Sequence, residues 1–268
     1  MSIQTLYTAA TGMLSMEGKL DVIANNLANV NTTGFKKDRA AFEDNFYRHD
    51  RMPGAQTGGS NPTAVGIHTG MGSKITSVQT NFTQGAFDLT GDPFDVAIEG
   101  NGFFQVTDPA SGQTVYSRAG NFSLNADGQF VMGSAGTGRV VEPPIQIPND
   151  ATFVSIAPDG RVTYQQSGET TATEAGQFQL AVFTNPEGLL KVGENLFLAT
   201  EASGDPAPGT PQTPGYGALR QNALEASNVE PVRELIDLIT TQRSFEMNSQ
   251  AVQAGDQVLE LVANLRRF

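Results

Sequence analysis

Few side chains in this chain of 268 residues could perform chemistry. The chain has no cysteine, which excludes thiol catalysis, disulfide bonds and thiolate metal ligands. Its two histidines, His49 and His68, lie nineteen residues apart, and no further metal ligand stands at a suitable spacing beside either of them. We therefore interpret both histidines as surface residues, and we predict no metal site and no bound cofactor.

Patterns for other catalytic chemistry are absent or weak as well. No Gly-x-Ser-x-Gly sequence occurs. The glycine-rich run 133–138 is followed from Arg139 by a predicted strand, whereas a nucleotide-binding loop needs a helix there, so we interpret the run as a hairpin loop.

Carboxylates are the remaining candidates, because a pair of them suffices for glycoside hydrolysis. The candidate acids lie in predicted turns or at solvent-facing strand positions: Asp92, Asp95, Asp127 and Asp159. The sequence therefore predicts no catalytic residue. A secreted polysaccharide hydrolase is the alternative from another class of function.

The charge of the chain argues against nucleic acid as a partner. The chain has 28 acidic and 16 basic residues and a formal net charge of -12, whereas nucleic-acid binding needs a basic face to neutralise phosphates. Residues 51–222 carry -8 of this charge, and the two ends are closer to neutral. Near-neutral ends do not repel one another strongly, which favours contacts between copies.

Two further expectations concern membranes and secretion. No apolar run reaches the ~18 residues that a transmembrane helix needs, so we expect no membrane insertion. The first residues lack the basic and apolar regions of a cleavable secretory signal, so we expect any export to follow another route.

The N-terminal segment has the periodicity of a long helix. Apolar residues recur at alternating spacings of three and four, which is the pattern of a coiled-coil seam. The seam residues are Leu6, Ala9, Met13, Met16, Leu20, Ile23, Leu27 and Val30. No proline interrupts the segment, and we expect the helix to close at 32–34, with Gly34 in the left-handed conformation.

The C-terminal segment predicts a second helix with a weaker seam. Pro231 suits the first turn of a helix, and apolar residues recur every seven residues after it: Leu238, Phe245, Val252 and Leu259. A single helix with a narrow seam is marginal in water and needs a partner. We expect the terminal helices to pair with each other and then with other copies; a helical hairpin that closes one globular fold is the alternative.

The middle of the chain has the pattern of β structure. From residue 93 onward, short apolar stretches alternate with polar residues and are separated by turn sequences such as 125–128 and 158–160. Stretches rich in glycine and proline flank this part on both sides.

The predicted fold class is α+β. Long N- and C-terminal helices form a coiled-coil-like bundle, and extended connectors join them to a β-rich middle domain, a sandwich or an irregular barrel. The predicted segments are an N-terminal helical assembly segment at 1–46, an extended connector at 47–92, the β-rich middle domain at 93–202, a Pro/Gly connector at 203–222 and a C-terminal helical assembly segment at 223–268.

Five stretches resemble the signature sequences of the bacterial flagellar axial proteins, the rod and hook family. They are NNLANVNTTGFK at 25–36, DVAIEGNGFFQV at 95–106, YSRAGNF at 116–122, LEASNV at 224–229 and QRSFEMN at 242–248. The motif residues carried over from the family are Asn25, Asn26, Asn29, Gly34, Phe35, Ser227, Asn228, Val229, Gln242, Arg243 and Glu246. The stretches cover both ends and the middle of the chain in the family's order.

This resemblance implies a structural subunit and no enzyme. Residues 53–56 and 66–72 look like the long connector of the distal part of the rod, whereas hook subunits usually have a larger middle domain. A hook or proximal-rod subunit is the alternative within the family. The implied assembly is a hollow helical tube of many copies, which transmits torque from motor to hook and conducts exported subunits.

The resemblance also implies partners and a location. The partners are other copies of the chain, other flagellar rod, hook and ring proteins, and the flagellar type III export apparatus. The location is the basal body of the flagellum, in a rod that crosses the periplasm, reached without a cleaved signal peptide.

Overall fold

The computed structural model describes residues 3–54, 65–109, 111–132, 138–168 and 171–265. The chain forms two compact units. The first unit comprises Met1–Ala28, Asp38–Thr80 and Glu230–Phe268, and the second comprises Asn29–Lys37 and Asn81–Val229. The predicted α+β class, with helices at both ends and a β-rich middle, is confirmed.

Two long helices dominate the first unit: α1 (Ile3–Ala28) and α2 (Pro231–Leu265). Helix α2 begins at the predicted proline, and Glu234 in its first turn complements the positive end of the helix dipole. Within the described residues, neither helix is long and apolar enough to cross a membrane.

Helix α1 ends earlier than predicted. It stops at Ala28, and the next residues form turns, in which the Asn29 side chain accepts a hydrogen bond from Thr32 Oγ1 at 3.1 Å. Such local side-chain bonds compete with helix continuation. Gly34 does adopt the predicted left-handed conformation, with φ of 70°, but it lies six residues beyond the helix.

The first unit also contains two antiparallel strand pairs. Strand β1 (Asp38–Asp44) pairs with β4 (Ser73–Thr80), and β2 (Tyr47–Arg51) pairs with β3 (Ile67–Gly70). Alternate residues of β4 are half-buried, as expected for a strand with one covered face. The segment predicted as an extended connector, 47–92, therefore contains β strands, and β1 lies within the predicted helical segment 1–46.

The regular secondary structure described in the second unit consists of short strands and one 3-10 turn. Its strands are β5 (Phe87–Leu89), β6 (Val96–Glu99), β7 (Phe103–Thr107), β8 (Thr114–Ser117), β9 (Phe122–Leu124), β10 (Phe130–Met132), β11 (Arg139–Val141), β12 (Ala151–Ile156), β13 (Arg161–Gln166), β14 (Thr173–Gln177), β15 (Leu180–Val182), β16 (Leu190–Gly193), β17 (Leu196–Leu198), β18 (Ala207–Gly209), β19 (Ala218–Gln221) and β20 (Ala223–Glu225). A 3-10 turn, Pro186–Gly188, lies between β15 and β16.

The largest sheet of this unit has nine strands. Seven follow the order β16-β17-β8-β7-β11-β10-β9, and β15 pairs with both β7 and β18. A three-stranded sheet has the order β12-β13-β14, and the pairs β19-β6 and β20-β5 complete the unit. Strands β18 and β19 lie within the segment predicted as a Pro/Gly connector, 203–222.

Phenylalanine side chains form the centre of this unit. The rings of Phe104 and Phe122 meet edge to face with centroids 4.9 Å apart, and Phe178 lies 5.3 Å from Phe130. Edge-to-face pairs of this kind add stability beyond the buried apolar area. The abundance of phenylalanine in a chain without tryptophan is thus explained by the core.

Several details of the β prediction differ from the structure. The predicted strand at 145–147 forms only an isolated bridge at Gln146. The strands β13 and β14 were not predicted, because their polar side chains hide the alternation. Most of the glycine-rich run 133–138 lies outside the described residues; the strands that flank it, β10 and β11, pair as antiparallel neighbours.

Candidate assembly sites

Helices α1 and α2 of the first unit pack against each other, and the predicted seam residues on them differ little in burial. Ile23 is buried. The other helical seam residues are half-buried: Leu6, Ala9, Met13, Met16, Leu20, Leu27, Leu238, Phe245, Val252 and Leu259. Val30 lies instead in a turn of the second unit, where it is half-buried.

Small residues allow close approach on two sides of α1. A Cβ atom added at Gly12 would lie 3.1 Å from Nδ2 of Asn248 on α2, and one added at Gly18 would lie 2.5 Å from Cδ1 of Ile75 on β4. Ser15 also donates a hydrogen bond to the Ser73 carbonyl at 3.2 Å. Helix α1 is therefore covered by α2 and by β4.

Both helices nevertheless expose large apolar side chains. Leu14 is 67% exposed and Met247 is 63% exposed. Among the helix residues whose burial the structure describes, the large exposed apolar side chains are Tyr7, Leu14, Val232, Leu235, Ile236, Ile239, Met247 and Leu261, and we call this set the exposed helix face. Exposed apolar patches on a folded protein mark sites of interaction.

Sequence analysis missed most of this face. Val232, Ile236 and Ile239 follow the spacing of four and three that places residues on one side of a helix. That signal is present in the sequence, but the heptad pattern of Leu238 and Phe245 overlaps it and predicts a different side of the helix as the contact surface. Leu235, which precedes Leu238 by three residues, also belongs to the exposed helix face.

The motif residue Asn26 ties three segments of the first unit together. Its Nδ2 donates to the Asp38 carbonyl at 2.9 Å and to Glu234 Oε2 at 3.3 Å, and its Oδ1 accepts from the Asp38 N–H at 2.9 Å. Asp38 in turn accepts a hydrogen bond from Thr80 Oγ1 at 2.7 Å. The buried amide thus uses donor and acceptor atoms, as buried polar groups must.

Asn228 does the same in the second unit. Its Oδ1 accepts from the Lys37 N–H at 2.8 Å, and its Nδ2 donates to the Asn81 carbonyl at 2.8 Å and the Thr83 carbonyl at 3.1 Å. The Asn81 N–H donates to the Lys37 carbonyl at 2.8 Å. Asn26 and Asn228 therefore have the same role in different units. Each connects, by hydrogen bonds within its own unit, chain segments that lie next to the unit boundaries.

A buried charge cluster lies beside Asn228 in the second unit. Glu225 accepts from Lys36 Nζ at 2.5 Å, from Arg118 Nε at 2.8 Å and from the Gly85 N–H at 3.0 Å. Lys36 also donates to the Thr83 carbonyl at 2.9 Å. Lys36, Arg118 and Glu225 each lie in a different motif stretch, and nothing in the sequence pattern predicts that they meet.

The remaining donors of this cluster are satisfied by the backbone. Arg118 Nη1 donates to the Gly102 carbonyl at 2.5 Å and Nη2 to the Gly100 carbonyl at 2.7 Å. Lys36 and Glu225 are each only 1% exposed. A buried ion pair of this kind stabilises a fold only when its other hydrogen bonds are also made, and here they are.

Burial and charge act differently on the two titratable groups of the cluster. Burial by itself raises the pKa of Glu225, but Arg118 and Lys36 outweigh it and lower that pKa below its usual value. Burial lowers the pKa of Lys36, Glu225 opposes this, and the nearby Arg118 adds to the lowering. One carboxylate is thus shared between two cations.

Other motif residues hold the backbone near the cluster. The Gly34 N–H donates to the Glu225 carbonyl at 2.7 Å, and a Cβ at Gly34 would lie 2.7 Å from the backbone nitrogen of Ala119. The Phe35 ring lies 5.2 Å from Lys191 Nζ, a cation–π contact. Val229 is buried, and its N–H donates to Ser227 Oγ at 3.3 Å.

The motif residues of α2 are placed differently. Gln242, Arg243 and Glu246 are all exposed on the helix. Asn25 on α1 is exposed as well, whereas Asn29 is half-buried in its turn. The structure thus gives Asn26, Gly34 and Asn228 roles within the chain and leaves the side chains of the α2 motif at the surface.

Comparisons with known proteins cover both ends and the middle of the chain. Three family profiles match: flagella basal body rod protein at residues 6–36, flagellar hook protein FlgE/F/G D1 domain at 97–164, and flagellar basal body rod FlgEFG protein C-terminal at 220–265. The matched stretches contain the predicted seam of α1, many of the core strands and all of α2.

Relatives match over nearly the whole length. The flagellar basal-body rod protein FlgG of Caulobacter vibrioides is 43% identical over 265 residues, which cover 98% of this chain and 100% of the relative. The FlgG protein of Agrobacterium fabrum is 43% identical, covering 97% and 98%. That of Borreliella burgdorferi is 38% identical, covering 99% of each chain.

Proposed function

Because the chain belongs to the flagellar basal-body rod and hook family, we propose that it is a structural subunit of the distal rod of the bacterial flagellum. The observation that carries this proposal is the near full-length similarity to basal-body rod proteins named FlgG. On this proposal the protein is not an enzyme.

The exposed helix face is the surface through which copies assemble. Apolar side chains such as Leu14 and Met247 lie open to water in the single chain, and covering them with helices of other copies removes that cost. The helices of many copies then form a coiled-coil-like bundle, in which the half-buried seam becomes fully covered. The exposed motif residues Gln242, Arg243 and Glu246 contact neighbouring copies.

Repeating one such contact builds the tube. An interface between different patches of neighbouring copies gives an open helical filament when the rotation does not close a ring. The helical segments 1–46 and 223–268 line the tube, the β-rich domain 93–202 faces outward as a sandwich or irregular barrel, and the segments 47–92 and 203–222 connect them. The acidic charge of residues 51–222 suits a solvent-facing surface.

The tube carries both torque and cargo. It crosses the periplasm as part of the basal body, transmits rotation from motor to hook, and conducts exported subunits through its lumen. Its partners are other copies of the chain, other rod, hook and ring proteins, and the flagellar type III export apparatus, which exports the subunit without a cleaved signal peptide.

A second assignment within the family has an observation in its favour. The flagellar basal-body rod protein FlgF of Caulobacter vibrioides is 34% identical over 244 residues, which cover 90% of this chain. The chain would then be a different rod subunit, in the proximal part. The lower identity and coverage favour the distal assignment.

Deleting the gene in its own bacterium tests the proposal. We expect loss of swimming and, in electron micrographs of isolated basal bodies, rods that stop before the distal part and carry no hook. Re-expression of the full chain restores both. Basal bodies that keep a complete rod and hook in the deletion strain would refute the assignment, and a rod broken in its proximal part would favour the second one.

A further inference from the structure

The β2–β3 hairpin brings the two histidines of the chain face to face. His49 and His68 are directly opposite partners in the antiparallel pair. Their ring centroids lie 6.1 Å apart, and both side chains are exposed. The two histidines are separated by eighteen residues in the sequence, yet they form a pair on one hairpin.

Neighbouring side chains of β2 flank the pair. Because successive strand residues point to opposite faces, Arg48 lies on the face opposite His49, and it forms an ion pair with Asp50 at 3.0 Å. On the histidine face, the Tyr47 ring packs edge to face on His68 with centroids 5.7 Å apart. The Tyr47 hydroxyl is itself hydrogen-bonded to Asp44, which raises the pKa of the phenol. Tyr47 therefore packs beside one imidazole of the pair.

The separation of the rings suits a shared metal ion. A tetrahedral zinc ion with Zn–N bonds of about 2.0–2.1 Å holds the centres of two imidazole rings roughly 5 Å apart. The rings at 6.1 Å need to approach by about an ångström, and exposed side chains achieve this by small rotations about χ1 and χ2.

We propose that His49 and His68 together bind one divalent transition-metal ion, with water in the remaining coordination positions. Imidazole nitrogen selects Cu²⁺, Ni²⁺ and Zn²⁺ over the oxygen-seeking Mg²⁺ and Ca²⁺. The described residues contain no group of three or more His, Cys, Asp or Glu side chains that could hold a metal, so the site is a two-ligand site on a hairpin. This inference does not depend on the proposed rod function.

Titration of the untagged full chain with metal salts tests the site. We expect one Cu²⁺, Ni²⁺ or Zn²⁺ ion per chain, bound most tightly for Cu²⁺, and no binding of Mg²⁺ at the same concentrations in calorimetry. Since the chain has only two histidines, the NMR signals of both imidazoles are assignable, and both shift together on adding Zn²⁺. Replacing either residue, as His49→Gln or His68→Gln, weakens binding at least about tenfold, because one ligand of the pair is lost.

A matched control tests whether metal binding requires the two histidines to face each other, or only requires two histidines in the chain. The double substitution His68→Thr with Thr69→His keeps two histidines but moves one to the opposite face of the hairpin. The affinity of this double variant for the metal ion is expected to fall as far as that of His68→Gln. Its unfolding midpoint is expected to stay close to that of the unchanged chain. Tight binding retained in this variant, or imidazole signals that do not respond to Zn²⁺ in the unchanged chain, would overturn the proposal.

Discussion

At the scale of single residues, Glu225 shows how the family motifs act. It lies beside Lys36 and Arg118, and each of the three comes from a different motif stretch. The side chains meet only in the folded second unit, where their charges are removed from water. The three motif residues thus share one structural role, which is to form a buried charge cluster. No catalytic arrangement is needed to explain them.

Replacing Glu225 by glutamine is expected to lower the free energy of unfolding by about 3–5 kcal/mol. The change leaves Lys36 and Arg118 buried without a counter-charge. Urea denaturation at pH 7, monitored by circular dichroism, measures this decrease in the free energy of unfolding. The control Glu201→Gln makes the same change at an exposed position, where we expect less than about 0.5 kcal/mol. Equal effects of the two substitutions would contradict the prediction.

The same carboxylate predicts a dependence on pH. Its pKa is lower in the folded chain than the ordinary value of 4.5, so its contribution to stability is complete above that pH and is lost as the pH falls through the lowered pKa. We expect the free energy of unfolding to fall more steeply below pH 4.5 in the unchanged chain than in Glu225→Gln. Parallel pH profiles for the two chains would show that Glu225 does not carry the effect.

Gly34 offers a second test at this scale. Its φ of 70° and the 2.7 Å between an added Cβ and the Ala119 nitrogen make Gly34→Ala destabilising, by more than about 1 kcal/mol. Gly91 is the matched control, because a Cβ there meets nothing within 4 Å. Gly91→Ala is expected to be neutral or slightly stabilising. Thermal unfolding of both variants measures the difference; a Gly34→Ala chain as stable as Gly91→Ala would be evidence against backbone strain.

At the scale of elements, the two helices have apolar surfaces with different roles. Most of the predicted seam residues are half-buried, whereas the side chains of the exposed helix face are open to solvent in the single chain. Stability and assembly should therefore respond to different substitutions. A change on the exposed helix face costs little folding energy but removes apolar area from a contact between copies.

Leu14→Gln combined with Met247→Gln tests this separation. We expect an unfolding midpoint close to that of the unchanged chain and a strong loss of polymer in electron micrographs and of swimming in complemented cells. Val192→Gln, an equally polar change at an exposed position of β16, is the control and should preserve both. If Val192→Gln abolished assembly to the same extent, the helices would not be the specific assembly surface.

At the scale of the whole molecule, the β2–β3 hairpin is a separable addition. The chain enters and leaves it at one place, because the Asn45 N–H donates to the Gly72 carbonyl at 2.8 Å and the Met71 N–H to the Phe46 carbonyl at 3.1 Å. A two-residue turn can join such neighbouring ends of an antiparallel pair. The segment can thus be removed without opening the β1–β4 pair.

Replacing residues 47–70 by an Asn-Gly turn is expected to leave a chain that folds and polymerises into a more flexible, hook-like rod. We expect this because residues 53–56 and 66–72 resemble the long connector of the distal rod, and we propose that this connector runs along neighbouring subunits and stiffens the shaft. Curvature and bending stiffness of the polymers, measured by electron microscopy, test this. An unchanged bending stiffness would argue against the stiffening role, whereas a chain that fails to fold would show that the hairpin is not separable.

The sequence alone determined the parts of this protein that depend on local patterns. Both helices, the start of α2 at Pro231 and many core strands follow from periodicity and turn residues, which act between near neighbours. The motif stretches gave the family, since their order and composition are visible without a fold. Polar strands such as β13 and the end of α1 were missed or misplaced because pairing partners and single side-chain bonds decide them.

Tertiary structure alone decided which distant residues meet. Lys36, Arg118 and Glu225 form one charge cluster. Asn26 and Asn228 form hydrogen bonds to segments that are distant in sequence. His49 faces His68 across a hairpin. The physical reason is that such contacts depend on strand register and on the pairing of segments far apart in sequence. A one-residue shift in register would move His68 to the opposite face of its hairpin and abolish the pair.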